Sequence, residues 1–327
     1  MSKYTQIDKI DIKHKYLIDY INLKEGIIKN QKKFVDKKEF NLFIKNEYLG
    51  LPVALPIKNR CFEKSKLNFS ISKKVIKEKL FKVKKNYKPL NNFLSLGNIF
   101  SISENPKKKF KKSLNIIKKI NNETKAKIKF FKKKNKIIGA FQTRNIPHFG
   151  HQKILELMLK KCDYVFINPL LGPKKIGDIN SELLSRVYKY FVSNKYCNKV
   201  IYAPICANMF YAGPREAVHH ALLREQLGFD YFIVGRDHAG AENVYKPDQA
   251  INLIRKYKKR FKIKIIAHKG AFFCDKCKKT VISGDCNHKK YYRDISGNEF
   301  RKCIKAKKIY KYADINLQKY IHKLKIS

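Results

Sequence analysis

Gln142-Thr143-Arg144-Asn145-Ile146-Pro147-His148-Phe149-Gly150-His151 concentrates two amides, a guanidinium and two imidazoles within ten residues. These side chains share one aptitude, hydrogen bonding to anionic oxygens. His148 and His151 are three apart with Gly150 between them. Both can therefore sit at a helix start beside backbone N–H groups that lack intrahelical partners, an arrangement that holds a phosphate. An isolated H-x-x-H reads more simply as a pair of surface or helix-capping histidines. Here Gln142, Arg144 and Asn145 crowd into the same turn and favour the anion site.

The elements that must position this turn are legible around it. An apolar run at 137–141 precedes it as a buried strand, and a helix-like segment at 151–161 follows. Further apolar runs at 164–168, 200–203, 231–234 and 263–267 alternate with helix-like segments, which predicts a mostly parallel α/β sheet covered by helices. Ligands in such sheets bind beyond the carboxyl ends of the strands. Two more motifs stand at such ends. In Ala212-Gly213-Pro214-Arg215-Glu216, Pro214 can open a helix running to about Gly228, with Arg215 at its start. Gly235-Arg236-Asp237-His238-Ala239-Gly240 directly follows the run at 231–234, and its glycines let the backbone approach a ligand. Taken with the first turn, these predict one polyanion site built from several strand ends.

Residues 1–125 differ in texture. They are lysine-rich, with short apolar pieces at 51–57 and 89–94 that read as strand and turn elements, and a charged stretch at 106–112 that reads as an exposed loop or linker. Across 327 residues the net charge is +48, yet only ten of the 74 basic residues are arginines. Phosphate-forking and base-reading sites prefer arginine, so the lysine excess reads as a solvated surface and nucleic acid is not an expected partner. Arg60 alone precedes residue 140. A chain that uses lysine wherever charge suffices keeps arginine where planar geometry matters, which places the chemistry in the second half. No segment approaches the roughly 20 apolar residues of a membrane span, and the amino terminus lacks a signal-like apolar core. The expectation is a cytoplasmic protein with no membrane partner.

Eight cysteines are scattered except for one cluster, Cys274-Asp275-Lys276-Cys277 followed by Cys286-Asn287-His288. C-x2-C with a third cysteine and a histidine nearby is the spacing of a Cys3His structural zinc site; a redox C-x-x-C pair is the competing reading.

Residues 141–151, Gly172-Pro173-Lys174-Lys175-Ile176-Gly177-Asp178, the segment 211–218, the segment 232–240 and Asp294-Ile295-Ser296-Gly297-Asn298-Glu299-Phe300-Arg301 together resemble the ATP sulfurylase family, the sulfate adenylyltransferases, in order over about 126–305. The resemblance implies a reversible reaction of ATP with sulfate to give adenosine 5′-phosphosulfate and pyrophosphate. It implies that Gln142, Arg144 and the backbone of Ala239 hold sulfate with Arg236 nearby, that Thr143 and Asn145 lie at the α-phosphate, and that His148 and His151 contact the phosphates. Gly235, Arg236, Asp237 and His238 would meet the nucleotide, alongside Gln142 and Asn145. Three departures stand out: Phe210 and Asn298 replace a usual arginine and threonine, and Gln152 replaces a usual glutamate.

The resulting expectation has three parts: an N-terminal β-rich, PUA-like domain at 1–125, a Rossmann-like nucleotidyltransferase domain at 126–270, and a C-terminal zinc-bearing subdomain at 271–327. Mg²⁺ would accompany ATP, Zn²⁺ would serve folding through Cys274, Cys277, Cys286 and His288, and the family implies a homodimer. Two alternatives stay open at this point. One is another nucleotidyltransferase using the paired histidines on a different acceptor, and the other is a catalytically weak basic protein that binds nucleic acid.

Overall fold

The structure is a computed structural model and describes residues 14–35, 37–53, 66–67, 101–102, 108–172, 179, 181–196, 198–236, 238–239, 245–246 and 248–324. Its centre is a five-stranded, wholly parallel sheet of β3 (Ile138–Phe141), β4 (Tyr164–Ile167), β5 (Val200–Tyr202), β6 (Tyr231–Val234) and β7 (Lys264–Ala267), in the order β5-β4-β3-β6-β7. Two short strands, β1 (Lys66–Leu67) and β2 (Ser101–Ile102), pair with each other in parallel. The helices are α1 (His14–Lys24), α2 (Lys37–Ile44), α3 (Lys108–Lys133), α4 (Phe149–Leu159), α5 (Ser181–Lys195), α6 (Pro214–Leu227), α7 (Gln249–Lys256), α8 (Gly297–Lys305) and α9 (Ile315–Lys323).

Strand periodicity explains why both sheet faces are covered. Successive side chains of a strand point to opposite faces. Phe141, Val165, Ile167 and Ile233 accordingly share one core with Leu155, Tyr188, Phe300 and Leu317 of α4, α5, α8 and α9. Ile138, Ala140, Phe166, Phe232 and Val234 share the other with Ile128, Ala221 and Ile254 of α3, α6 and α7. Strands buried on both faces read as continuous apolar runs, which is why the sequence signals them clearly. The strand order leaves β3 in opposite directions, through β4 to β5 and through β6 to β7. The gap between the carboxyl ends of β3 and β6 is therefore the switch point, where such sheets take ligands.

The helix starts and stops follow local chemistry. α6 opens on Pro214 and closes at Gly228, which is left-handed with φ 95°. Gly213 precedes it at φ 55°, and a Cβ there would lie 2.4 Å from the Tyr245 ring, so both conformation and space demand glycine.

The N-terminal part differs from expectation. The stretch expected to be a loop at 106–112 is helical from Lys108 onward, as the start of the 26-residue α3. Ile117, Asn121, Thr124 and Ile128 are its buried stripe, spaced four, three and four apart, and lysine is an adequate helix former for the wet side. α3 spans the expected boundary at 125. Among the described residues of 14–53 the regular elements are α1 and α2, and only 51–53 of the expected 51–57 piece are described, without regular structure. The piece at 89–94 lies outside the described residues. Ile18, Ile21 and Leu23 of α1 share a core with Ile117, Cys206 and Leu223. A buried amide network reinforces that seam: Asn22 Nδ2 donates to Cys206 O at 2.9 Å, Asn121 Nδ2 to Asn22 Oδ1 at 3.0 Å, and Cys206 N to Asn121 Oδ1 at 2.7 Å.

Beyond the parallel sheet, β8 (Ala271–Cys274), β9 (Lys279–Ile282) and β10 (Tyr292–Asp294) form a small antiparallel sheet in the order β10-β8-β9. A Lys153–Asp285 ion pair at 2.9 Å fastens it to α4. Among the described residues, no helix is long and apolar enough to cross a membrane.

Candidate active site

The turn that connects β3 to α4 carries its functional groups in a rigid form. Thr143 Oγ1 accepts from Asn145 N at 3.1 Å, closing the turn on itself. Tyr188, buried on α5, donates its hydroxyl to Asn145 O at 2.9 Å and lies 3.4 Å from Thr143 Oγ1. His148 is the N-cap of α4: its Nδ1 accepts from His151 N at 3.4 Å, while His151 Nδ1 accepts from His148 N at 3.3 Å. The two rings stack with centroids 3.9 Å apart. The capping role weighed for an isolated H-x-x-H is therefore present, and the same rings also line a cavity.

That cavity encloses about 250 Å³ at the switch point. Gln142, Thr143, Arg144, Asn145, His148 and His151 line it from the β3 turn, and Gly235, Arg236, His238 and Ala239 line it from the end of β6. Every candidate in these two motifs that the structure describes is thus brought together. Asp237, like residues 173–178, lies outside the described residues. Ala239 has φ 56° and its carbonyl accepts from Gly213 N at 3.1 Å, which ties the β6 end to the start of α6. Arg215 does sit at that helix start, but its guanidinium donates to Phe43 O at 3.1 Å, toward the N-terminal segment.

The electrostatics are those of a dry donor set. Burial pushes His148 down to about 4, and burial together with the neighbouring His148 holds His151 well below the imidazole range. Both are neutral near pH 7, each with one N–H to give. Gln142 Nε2 makes only a weak contact with Met209 Sδ at 3.6 Å, and its buried Oε1 has no partner among the described residues. The two ends of that amide exchange by a simple flip, so Gln142 can turn a donor to an anion. The Arg144 guanidinium lies over the Tyr211 ring at 5.7 Å. Arg236 is at the rim, 3.5 Å from Asp294 Oδ1 and 6.0 Å from the Phe272 ring centroid.

The C-terminal segment completes the turn from the other side. Arg301 donates to Asn145 Oδ1 and to Asn298 Oδ1. A Cβ at Gly297 would lie 3.0 Å from Asn145 Cγ, so glycine there is a matter of close approach. Phe210 turns away from the cavity, packing edge-on against His219 at 5.7 Å and against the core shared with α1. Met209, its neighbour, lines the cavity and Phe210 does not. Asp294, the first residue of the 294–301 segment, also lines the cavity, and Met209 and His268 are lining residues that the motifs did not single out. His268 directly follows β7, and the strand-end rule that found the other groups would have found it.

Cys274 ends β8, while Cys277, Cys286 and His288 lie on the turns that join the small sheet. Their ligand atoms lie within 4.8 Å of one another. Cys277 Sγ is 3.1 Å and Cys274 Sγ 3.9 Å from His288 Nδ1, and Cys274 and Cys286 sulfurs are 3.8 Å apart. β8 thereby joins two sites, since Ala271 and Phe272 at its start line the cavity.

The sequence profile of the ATP-sulfurylase family matches residues 118–310. Sulfate adenylyltransferase from Pyrococcus abyssi is 31% identical over 336 residues, covering 93% of this chain and 86% of that protein. The enzyme of that name from Staphylothermus marinus is 42% identical over 181 residues, covering 55% of this chain and 47% of its own. Among solved structures, a hexameric APS kinase from Thiobacillus denitrificans shares the fold, with a TM-score of 0.67 at 13% identity over 98% of this chain and 63% of that one. The match over residues 118–310 holds both strand-end motifs and the metal-type cluster, and with the near full-length likeness it makes this chain a member of the ATP-sulfurylase family.

Proposed function

We propose that the chain is a sulfate adenylyltransferase, joining ATP and sulfate to give adenosine 5′-phosphosulfate and pyrophosphate, reversibly. The observation that carries this reading is the meeting of the 142–151 turn and the 235–239 strand end in one cavity in a member of this family. A sulfate oxygen attacks the α-phosphorus as the bond to the bridging oxygen breaks, and pyrophosphate leaves with that electron pair. Sulfate is already a dianion at neutral pH, so no general base is needed. The requirement is in-line placement of two mutually repelling anions and stabilisation of charge on the phosphoryl oxygens.

The residues divide accordingly. Gln142, Arg144 and the Ala239 backbone hold sulfate, with Arg236 close by. Thr143 and Asn145 address the α-phosphate, the latter oriented by Arg301 and Tyr188. His148 and His151 give N–H bonds to the phosphate chain at the start of α4, where the helix dipole also favours negative charge. Gly235, Arg236, Asp237 and His238 meet the nucleotide. Mg²⁺ would neutralise the β and γ phosphates; Asp294 is the carboxylate among the described lining residues, so phosphates and water would hold most of that ion.

The Cys274, Cys277, Cys286 and His288 set fits Zn²⁺. A tetrahedral zinc with bonds of about 2.3 Å separates its sulfurs by about 3.8 Å, as Cys274 and Cys286 are here. Four protein donors leave no open position, so the ion would serve folding. We retain the division into 1–125, 126–270 and 271–327, with α3 bridging the first two parts, and a homodimer as the assembly.

The test is formation of ATP from adenosine 5′-phosphosulfate and pyrophosphate by folded, zinc-replete protein. Steady ATP release is expected, and none at all would sink the reading.

A further inference from the structure

A buried chain of ionisable groups runs from α6 to the cavity and has no part in the reading above. Glu216 is fully enclosed, and both its oxygens accept backbone N–H bonds at 2.8 Å, Oε1 from Phe210 and Oε2 from Ala212. His220, one turn later and equally enclosed, places Nε2 at 3.2 Å from Glu216 Oε1. Its Nδ1 lies 3.0 Å from Nε2 of His238, the imidazole that lines the cavity between Arg236 and Ala239.

Proton positions follow from what each atom accepts. Burial raises the Glu216 carboxyl, but the two backbone N–H bonds it accepts favour the ionised form. An ionised carboxylate only accepts, which draws the His220 proton to Nε2, in ion-pair contact though off the hydrogen-bond line, and leaves a lone pair on Nδ1. Two ring nitrogens at 3.0 Å share a single hydrogen, so that hydrogen belongs to His238 Nε2. Nδ1 is then the atom of neutral His238 that can receive a further proton from solvent. We propose that Glu216 and His220 are positioning residues for His238: they fix its neutral form with the hydrogen on Nε2, and they stabilise the imidazolium it becomes when the anionic substrates fill the cavity. This rests on the adenylyl-transfer reading.

The surroundings suit such a change of charge. Among the described residues, Glu216, His220 and Arg224 face His238 from α6, and Arg144 faces it from the β3 turn. Burial first, then repulsion from His220 when that ring is itself charged, then Arg224 and Arg144, hold it well below the ordinary imidazole range in the empty cavity, while Glu216 pulls the other way. A bound phosphate or sulfate joins Glu216 in that balance. The imidazolium would then donate at the moment negative charge is most crowded, and would revert once the products leave.

Substitutions at His220 separate this from packing. Glutamine carries an acceptor and a donor on one amide, so it can take the His238 Nε2–H bond and give an N–H to Glu216. Phenylalanine fills similar space with neither. For His220→Gln we expect kcat within about threefold of wild type, and for His220→Phe a loss of roughly tenfold or more that falls on kcat more than on KM. The limb of the pH–rate profile that reports the imidazolium should move to lower pH in His220→Phe. Equal or better activity in His220→Phe, with an unmoved profile, overturns the proposal. Should His220→Phe not fold, nitrogen-15 NMR of wild-type histidines reads the same point. His238 should carry its hydrogen on Nε2 in the empty enzyme and both hydrogens with Mg²⁺, sulfate and α,β-methylene ATP; a hydrogen on Nδ1 in the empty enzyme overturns it. A wild type that makes no ATP removes the adenylyl-transfer reading itself, whereas an active wild type with indifferent variants removes only the relay.

Discussion

Arg144 is the side chain on which turnover should depend most steeply. It stands on the short turn between β3 and the His148 cap, and in the proposed reading its planar donors hold sulfate. Arg144→Ala is expected to lower kcat/KM by about 10²- to 10³-fold with an unchanged melting temperature; wild-type turnover would move sulfate elsewhere. Asn145 is gripped by Arg301 and crowded by Gly297, so its amide has little room. Gly297→Ala puts a methyl group against that amide, and we expect a tenfold or greater fall in kcat, on the order of the cost of misplacing a reacting group by a fraction of an ångström. Circular dichroism should show the fold retained, and normal kinetics would mean that Asn145 is not at the reacting bond. Nine of the ten arginines lie in the half of the chain that holds the candidate site, though not for one reason alone. Arg215 and Arg260 donate to backbone carbonyls of the N-terminal segment, and Arg224 is wholly buried against Asn168. Planar geometry is needed as much for binding carbonyls as for binding sulfate, and composition does not separate the two.

At the scale of elements, the small sheet and α3 make the clearest demands. If the four donors of the 274–288 cluster hold Zn²⁺, metal analysis should find one zinc per chain, and a chelator should lower the melting temperature together with activity, because β8 also supplies cavity wall. Chelation without either effect would leave the cluster as reduced thiols. The amide network between α1, α3 and the segment after β5 should also be measurable. Asn121→Ala strands the Cys206 N–H and the Asn22 amide in a buried seam, with an expected cost of about 2–3 kcal/mol in urea unfolding. A loss below about 0.5 kcal/mol would mean that water enters and replaces it. β3, β4 and β6 were legible because burial on both faces leaves unbroken apolar runs, whereas the edge strand β7 carries an exposed Lys264 within its apolar run. The start of α3 was not legible, because seven residues of lysine-rich sequence resemble a loop until the stripe of Ile117, Asn121, Thr124 and Ile128 is counted at helical spacing. The Glu216–His220–His238 chain was equally hidden, since it joins residues of a helix to a residue past the next strand, and only the fold sets them together.

For the whole molecule, acid should be more damaging than the surface charge suggests. His148 and His268 are pushed down to about 4 and His219 to about 3, all by burial, from an ordinary value of 6.5. Below pH 6.5 the unfolded chain takes up protons that the native state refuses, so stability is full above that value and falls as pH drops toward 4. Each of the three contributes roughly 1.4 kcal/mol per pH unit. Urea midpoints should decline steadily across that window, and a flat profile would mean that these rings are hydrated. Lysines make up most of the +48 charge. One further consequence follows from the grip of Arg301 and Gly297 on Asn145. The parallel sheet has all its strands by residue 267, whereas the Asn145 amide is held only once residues 297–301 exist. A polypeptide cut short in that interval would lack both that grip and the α8 and α9 side chains that cover one face of the sheet.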